Sequence, residues 1–256
     1  MAKVIAIFNQ AGGVGKTTLT LNVGYELSRR NLRILMVDMD PQGSLTEFCG
    51  IETHTLNVAQ TLLPSLTQDA PLPVISNIHG MSLVPANVSL ANAERDLMDA
   101  DMRDFRLKDA LEGAEDDFDI ILIDCQPSLS LLPYLALVAA DGVLIPIQTQ
   151  FKAYKGTNQL FNTLARVKKR PNKALKLLGF VPTMYAKSNS QDKRVLAAIE
   201  NLQTKGIGPV LPAIPRATDF ADSSEQRKPL RLYAPKHPAL APLEVIAAAL
   251  DVKVAA

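Results

Sequence analysis

The amino-acid sequence predicts an α/β fold in which a mostly parallel, twisted β-sheet carries helices on both faces. Short, β-branched and continuously apolar runs recur along the chain, and helical stretches separate them. A glycine-rich turn follows the first apolar run. Continuous apolarity is typical of strands buried on both faces of a parallel sheet. Regular alternation with helices is typical of right-handed βαβ units.

The strands are predicted from apolar runs bounded by Gly, Pro or Asp. They are Val4–Phe8, Arg33–Val37, Met81–Pro85, Ile120–Ile123, Val143–Ile147, Leu175–Val181 and Val210–Ile214. The helices predicted between and after them are Lys16–Arg29, Arg103–Glu112, Ser130–Ala139, Tyr154–Val167, Asp192–Thr204 and Leu240–Leu250. Residues 51–80 contain three prolines that would break any long element. Nothing divides the chain, so a single domain over residues 1–256 is expected.

The composition limits which partners the whole molecule can attract. A formal net charge of +1 means that any affinity for nucleic acid must come from a local basic patch. Cys49 and Cys125 lack metal-site spacing and are expected to be buried free thiols in a reducing compartment. No apolar stretch is long enough to span a bilayer, and the N-terminus runs straight into a strand pattern. A soluble, cytoplasmic protein is therefore expected.

A phosphate-binding loop is predicted between the first strand and the first helix. Its backbone N–H groups can turn inward because of the glycines, and the helix that follows directs its positive end at the phosphates. Lys16 is expected to reach the β- and γ-phosphates of ATP, and the Thr17 hydroxyl to ligate Mg²⁺. Gln10 stands where the strict motif has a glycine. The predicted nucleotide-binding residues are Ala11, Gly12, Gly13, Val14, Gly15, Lys16, Thr17 and Thr18.

Carboxylates follow two of the predicted strands. Asp38 and Asp40 come after the second strand, and Asp124 comes after the fourth along the chain. Isolated carboxylates in such places are often helix caps, but in parallel sheets ligands bind beyond the carboxyl ends of the strands. Asp124 is the expected partner of Mg²⁺. Asp38 and Asp40 are expected to point to opposite sides of an extended backbone, so one can orient the attacking water while the other braces the water shell of the metal or the switch segment.

Several segments together resemble the ParA/MinD family of deviant Walker ATPases, over nearly the whole chain. Besides the phosphate loop they are Asp38–Gly43, Phe118–Asp124, Pro146–Gln148 and Ile214–Arg216. The resemblance implies a P-loop NTPase fold, a homodimer that sandwiches ATP, and ATP hydrolysis. It matches Asp40 to the water-activating carboxylate, which also lies near the metal. It places Met184, Pro215 and Arg216 beside the adenine.

Two positions depart from the family pattern. Ala11 stands where the family has a signature lysine that crosses the dimer to the partner's phosphates. The subgroup that lacks this lysine resembles McdA, which positions carboxysomes. After the fifth strand, Lys152 stands in a stretch that is typically acidic and aromatic in the family. Lys152 is therefore predicted to replace the signature lysine, with Lys155 as the second candidate.

The resemblance also implies partners. ParA-like members bind double-stranded DNA without sequence preference, associate with the nucleoid, and are stimulated by a ParB- or McdB-like adaptor protein. The basic C-terminal third fits phosphate contact, and no membrane-binding tail is recognised. Two alternatives remain open: a biosynthetic ligase or amidotransferase of the cobyrinate or dethiobiotin synthetase type, and a MinD-like membrane regulator. The predicted DNA-binding residues are Lys187, Lys193, Arg194, Arg227 and Arg231.

Overall fold

The sheet predicted from the sequence is present in the computed structural model, which describes residues 1–150 and 157–254. Its strands are β1 (Lys3–Ile7), β2 (Ile34–Met39), β3 (Ile75–Ile78), β4 (Met81–Val84), β5 (Ile120–Cys125), β6 (Gly142–Gln148) and β7 (Lys176–Thr183). Within those residues they form one seven-stranded sheet in the order β3-β4-β2-β5-β1-β6-β7. Every neighbouring pair is parallel except β3 with β4. The mostly parallel α/β fold is therefore confirmed.

Helices follow most of the strands. They are α1 (Lys16–Ser28), α2 (Ser44–Phe48), α3 (Leu63–Thr67), α4 (Ala93–Asp96), α5 (Arg106–Glu112), α6 (Leu131–Ala139), α7 (Thr157–Lys169), α8 (Ser190–Thr204), α9 (Asp219–Glu225), α10 (Leu230–Tyr233) and α11 (Leu240–Val254). Short 3₁₀ helices occur at Thr53–Thr55, Val58–Gln60, Val88–Asn92 and Arg103–Phe105. Among the described residues no helix is both long and apolar enough to cross a membrane.

Two apolar clusters hold the helices on opposite faces of the sheet. One cluster joins the sheet to α3 through α8 and is centred on side chains such as Phe8 and Phe180. The other joins it to α1, α2, α10 and α11, with Ile5, Leu21 and Ile246 among its buried members. Alternate residues of β1 enter the two clusters, because successive strand side chains point to opposite faces. The sheet is therefore buried on both sides, as its continuous apolar runs predict.

The structure differs from the sequence prediction at the last strand. Val210–Ile214 makes only isolated pairings beside it, between Phe180 and Val210 and between Tyr185 and Pro215. Prolines stand at positions 209, 212 and 215, and each removes a backbone donor that a ladder needs. The prediction of a strand there is wrong. The segment instead runs along the edge beyond β7 and helps to enclose a cavity described below.

Short elements were also missed. β3 is four residues long and antiparallel, and it lies within the proline-rich stretch that gave no clear pattern. The predicted helix Arg103–Glu112 begins with a 3₁₀ turn and becomes α-helical only at Arg106. The helix expected from Tyr154 is described from Thr157, because residues 151–156 lie outside the described part of the chain.

An ion-pair network connects α1 to the two C-terminal helices. Glu26 on α1 is 3% exposed and accepts from Arg231 at 2.6 Å and from Arg29 at 2.9 Å. Arg231 also pairs with Glu244 on α11. A carboxylate buried to this degree requires charged partners, because desolvation otherwise costs several kcal/mol. The network therefore fixes α10 and α11 against α1.

Candidate nucleotide site

Three adjacent strands end at one level and place their polar residues together. Ile7 at the end of β1 lies opposite Asp124 in β5, and Asp38 in β2 lies opposite Asp124 from the other side. The glycine-rich loop leaves β1 at this level. The register therefore brings the loop and both carboxylates to the carboxyl edge of the sheet, where ligands bind in parallel α/β folds.

The loop between β1 and α1 has the geometry of an anion cradle. Gly13 and Gly15 adopt φ of 71° and 86°, a region that side chains disfavour. Apart from the chain neighbours, no described residue places a heavy atom within 4 Å of a Cβ built at either position. No side chain of the described residues caps the start of α1, so the first N–H groups of that helix are left for another acceptor. The Lys16 ammonium is nearly buried and donates to the Ala11 carbonyl at 3.0 Å. The loop thus folds around its own lysine.

Buried side chains anchor this loop at both ends. The Asn9 amide donates to the Pro146 carbonyl at 2.7 Å and accepts from the Ala11 N–H at 2.9 Å. Further along, the Thr183 hydroxyl donates to the Val14 carbonyl at 2.9 Å. The sequence analysis missed both anchors. A polar residue directly after a buried strand is the signal that could have identified Asn9.

Asp38 is completely buried and fully hydrogen-bonded. Its carboxylate accepts from the Thr46 N–H at 2.9 Å, the Thr46 hydroxyl at 2.7 Å and the Asp40 N–H at 3.1 Å. The Thr46 hydroxyl accepts in turn from the Ala86 N–H at 3.0 Å. Burial raises the pKa of Asp38 to about 6, although these donors lower it. Asp38 therefore ties α2 and the loop after β4 to the end of β2.

Asp40 lies two residues further on and differs from Asp38 in its burial and in its hydrogen bonds. It is only half-buried, and the described contact of its carboxylate is a turn hydrogen bond from the Gln42 N–H at 2.9 Å. The turn continues through Gly43, whose φ is 64° and where a Cβ would lie 2.5 Å from the Thr53 methyl group. Asp40 is therefore the carboxylate that water can reach, whereas Asp38 is enclosed by protein.

Asp124 is buried with one oxygen lacking a partner. Its Oδ1 accepts a long hydrogen bond of 3.5 Å from the Thr20 hydroxyl, and its Oδ2 has none among the described residues. Burial, and then the nearby Asp38 charge, raise the pKa of Asp124 to about 8. A hydrogen bond with the Thr17 side chain and the positive charge of Lys16 act in the opposite direction. Burial likewise lowers the pKa of Lys16, and Asp124 opposes that shift.

These groups fit a divalent cation with a bound phosphate. An unpartnered, buried carboxylate oxygen next to a threonine hydroxyl is the hard oxygen donor set that Mg²⁺ prefers, with phosphate and water completing the coordination. The described residues contain no group of three or more His, Cys, Asp or Glu side chains that could hold a metal alone.

A cavity of about 710 Å³ opens beside the loop. Gly15 and Thr18 line it on the side of the phosphate loop, and Met184, Pro215 and Arg216 belong to its wall. Met184 has a φ of 54°, unusual for a residue with a long side chain. The structure thus brings these sequence-predicted residues together. Sequence reasoning missed other lining residues, among them Phe48, Phe220 and Leu243, because their helices are short or distant along the chain.

The predicted DNA-binding residues fall into two groups. Lys187, Lys193 and Arg194 are exposed and form no ion pair with a described residue. Arg227 pairs with Glu52 at 3.4 Å, and Arg231 is 17% exposed and committed to Glu26 and Glu244. Because its charge is neutralised within the protein, we withdraw the prediction that Arg231 contacts DNA. Lys152, predicted to act at the nucleotide, lies outside the described residues, as does Lys155.

A parallel sheet with a glycine-rich loop, a buried lysine and carboxylates at adjacent strand ends defines a P-loop NTPase fold. A family profile described as an AAA domain matches residues 2–177. The chain belongs to the ParA/MinD family of P-loop ATPases. The family assignment made from the sequence motifs is therefore confirmed.

Individual relatives support the assignment. The chromosome partitioning protein ParA of Myxococcus xanthus is 36% identical over 236 residues, which cover 91% of this chain and 82% of that protein. A structure named cobyrinic acid a,c-diamide synthase, from Mycobacterium smegmatis with ADP and magnesium, is 36% identical with a TM-score of 0.79, covering 89% of this chain and 93% of that one. Apo McdA from Cyanothece is 25% identical with a TM-score of 0.87, covering 98% and 100%.

The buried carboxylates make the ligand-free protein sensitive to pH. Because burial raises the Asp124 pKa above its unfolded value of about 4, the folded state binds this proton more tightly than the unfolded chain. The resulting stability is present at low pH and is lost as pH rises towards about 8. Asp124→Asn should therefore stabilise the nucleotide-free protein at pH 8 by roughly 1–3 kcal/mol and much less at pH 5.

Denaturant unfolding without Mg²⁺ or nucleotide, at both pH values, measures this difference. Asp116→Asn removes an acid that is 98% exposed and serves as the matched control, for which no pH-dependent gain is expected. An Asp124→Asn variant whose stability relative to the parent is the same at both pH values would show that Asp124 is not a buried, perturbed carboxyl.

Proposed function

We propose that this protein is an ATP-dependent dimerising ATPase that binds DNA without sequence preference and positions a cargo on the nucleoid, with an adaptor protein that stimulates hydrolysis. The observation that carries the nucleotide part is the unpartnered Asp124 oxygen beside an open phosphate loop. The relationship to a chromosome partitioning protein supports the positioning role. The likeness to McdA makes a carboxysome one candidate cargo, beside a plasmid or a chromosome.

The site residues divide the chemistry among them in this proposal. The loop N–H groups and Lys16 hold the phosphates of ATP, while Thr17 and Asp124, with Asp40 nearby, hold Mg²⁺. Bound Mg²⁺ would neutralise phosphate charge as it develops. The cavity beside Thr18 receives the nucleoside, with Met184 in its wall. Stabilisation of charge by groups already in position is the main source of catalysis in phosphoryl transfer.

The two strand-end carboxylates have separate roles. Asp40 is half-buried, and its carboxylate is bound within its own turn among the described residues, so it can accept a hydrogen bond from the attacking water. The Asp38 carboxylate accepts hydrogen bonds from three donors, one of which is the Asp40 N–H. Asp38 therefore fixes the backbone position of Asp40. The sequence left open which of the two carboxylates orients the water. We propose that Asp40 does so and that Asp38 supports it.

Lys16→Ala and Asp40→Ala separate binding from hydrolysis. Lys16→Ala removes the cation inside the phosphate loop, so ATP affinity should fall by at least about tenfold. Asp40→Ala leaves the loop intact, so ATP affinity should stay within about threefold while turnover falls by about 10²-fold or more. Binding of a fluorescent ATP analogue and steady-state phosphate release measure the two quantities. Equal losses of nucleotide affinity in the two variants would contradict the division of roles.

The replacement of the signature lysine remains a prediction. Ala11 cannot supply a charge to the partner's phosphates, and Lys152 is proposed to do so across a nucleotide-sandwich homodimer. A charge-assisted contact of this kind contributes about 1.5–3 kcal/mol. Lys155 remains the second candidate for the same role.

DNA binding is proposed to use the exposed cations around the start of α8. Lys187, Lys193 and Arg194 carry no ion pair to a described residue, so their charges remain available for phosphates. A protein with a net charge of +1 has little general attraction for DNA, but dimerisation would double the patch and add avidity. Such contacts read phosphate rather than base sequence.

Reversing two of these charges tests the surface. Lys193→Glu combined with Arg194→Glu should weaken ATP-dependent binding alike on unrelated DNA sequences. Because the dimer loses two cations from each protomer, the slope of log affinity against log salt should fall by about 4. Lys108→Glu alters an exposed lysine on α5 and is the matched control. Fluorescence anisotropy over a salt series gives both quantities. An unchanged salt slope in the double variant would place the DNA surface elsewhere.

A biosynthetic amidation is the second candidate function, favoured by the likeness to the structure named cobyrinic acid a,c-diamide synthase. The two functions predict different activators of ATP turnover. A positioning ATPase responds to DNA and an adaptor protein, whereas an amidating enzyme responds to a small carboxylic acid together with a nitrogen donor. Phosphate release measured with each activator distinguishes the two.

A further inference from the structure

A buried chain of hydrogen bonds connects the phosphate loop to the first turn of α8. The Thr183 hydroxyl donates to the Val14 carbonyl at 2.9 Å, and the Thr149 N–H donates to the Thr183 carbonyl at 3.0 Å. The Thr149 hydroxyl in turn lies 3.2 Å from the Asp192 carboxylate, to which it can donate. All three linking side chains, of Thr149, Thr183 and Asp192, are at most 4% exposed.

One oxygen of Asp192 contacts two chain segments, one containing Thr149 and the other containing Ala186. Its Oδ2 accepts from the Ala186 N–H at 2.8 Å and lies 3.2 Å from the Thr149 hydroxyl, which is also 3.3 Å from the Thr183 and Met184 carbonyls. It is not needed as a helix cap, because Asn189 accepts from the Gln191 N–H at 2.9 Å and fills that role. A carboxylate that is 1% exposed is costly to bury, so its place here reflects the tertiary links it makes.

The chain segment held by Asp192 also forms part of the nucleotide cavity. Thr183 and Met184 are both lining residues, and Met184 has the φ of 54° noted above. The next residue, Tyr185, donates its N–H to the Ile214 carbonyl and accepts from the Arg216 N–H, both at 3.0 Å. One short segment therefore contacts the phosphate loop, the cavity wall and Asp192.

The exposed cations begin immediately beyond this segment. Lys187 follows Ala186 directly, and Lys193 and Arg194 follow Asp192 directly. A change at Thr183 or Met184 when the cavity fills would thus reach these charges through rigid, hydrogen-bonded links. Coupling between sites requires such an element, whose arrangement both sites influence.

We propose that Asp192, through Thr149 and Thr183, is the positioning residue that makes the placement of the basic surface depend on the nucleotide. With the triphosphate bound, the phosphate loop fixes the position of Thr183. Asp192, through its hydrogen bonds, then fixes the positions of Ala186 and the start of α8. Lys187, Lys193 and Arg194 are then positioned to contact DNA phosphates. The inference rests on the proposed function, because it concerns how that function's DNA surface is controlled.

The measured quantity is the ratio of DNA affinity with a non-hydrolysable ATP analogue to DNA affinity with ADP. Asp192→Ala removes a negative charge beside the cations and can raise affinity in both states, but only a loss of coupling lowers the ratio. We expect the ratio to fall by at least about tenfold in Asp192→Ala. Thr149→Val, which removes only the linking hydroxyl, should lower the ratio in the same direction. Asp192→Asn keeps an acceptor oxygen and should restore much of it.

Glu200→Ala is the matched control, because it removes an exposed acid from the same helix and should leave the ratio within about twofold. Affinity for the ATP analogue and the thermal midpoint identify variants that are simply misfolded. If Asp192→Ala is misfolded, the test is decided by Thr149→Val, which preserves side-chain shape and volume. A ratio like that of the parent in a folded Asp192→Ala or Thr149→Val variant would overturn the proposal.

Amide hydrogen exchange provides a readout that needs no DNA. In the parent protein the ATP analogue should slow exchange across residues 186–194, and in Asp192→Ala it should not. Unchanged exchange there in the parent would overturn the coupling, whatever the DNA result. Failure of the parent to bind DNA with any nucleotide would instead refute the proposed function, so the two failures are distinguishable.

Discussion

The concentration of buried charge at the ends of β1, β2 and β5 is the constraint on which the rest of the structure depends. Asp38, Asp124 and Lys16 share this space, and both carboxyl pKa values are raised there while that of the lysine is lowered. Buried charges are tolerated only when they are paired or coordinated. Asp38 is satisfied by protein donors, whereas Asp124 is not. Among the described residues, one buried oxygen of Asp124 is thus left without a partner, and the site is incomplete in that respect.

The surrounding architecture keeps this incomplete site open. Strand register sets the two carboxylates side by side, and the two apolar clusters hold the sheet rigid from both faces. Asn9 and Thr183 fix the phosphate loop at its two ends. Preorganised groups of this kind need little rearrangement when charge develops in a reaction.

The sequence predicted the central strands, the long helices and the loop, because continuous apolar runs and the glycine pattern have strong local signals. It failed where local signals conflict with tertiary context. Val210–Ile214 has a strand's apolarity, but the proline within it and the two that flank it prevent a regular ladder. β3 is too short to show a period. It also could not separate Asp38 from Asp40, because their difference lies in burial and in contacts with Thr46.

Charge patterns were the least reliable guide. Arg231 and Lys193 look alike in the sequence, yet one lies in an ion-pair network and the other is exposed. Only the packing of α10 against α1 reveals that difference. The same applies to Asp192, which reads as a helix-start acid and is instead a buried link between β6 and α8.

The most direct test of the central claim is the effect of Mg²⁺ on nucleotide-induced stabilisation. Thermal unfolding with saturating ADP would be measured with Mg²⁺ and with EDTA, in the parent and in Asp124→Asn. If the Asp124 carboxylate binds the cation, Mg²⁺ should raise the midpoint of thermal unfolding clearly in the parent and much less in Asp124→Asn. Equal increments in the two proteins would contradict the account.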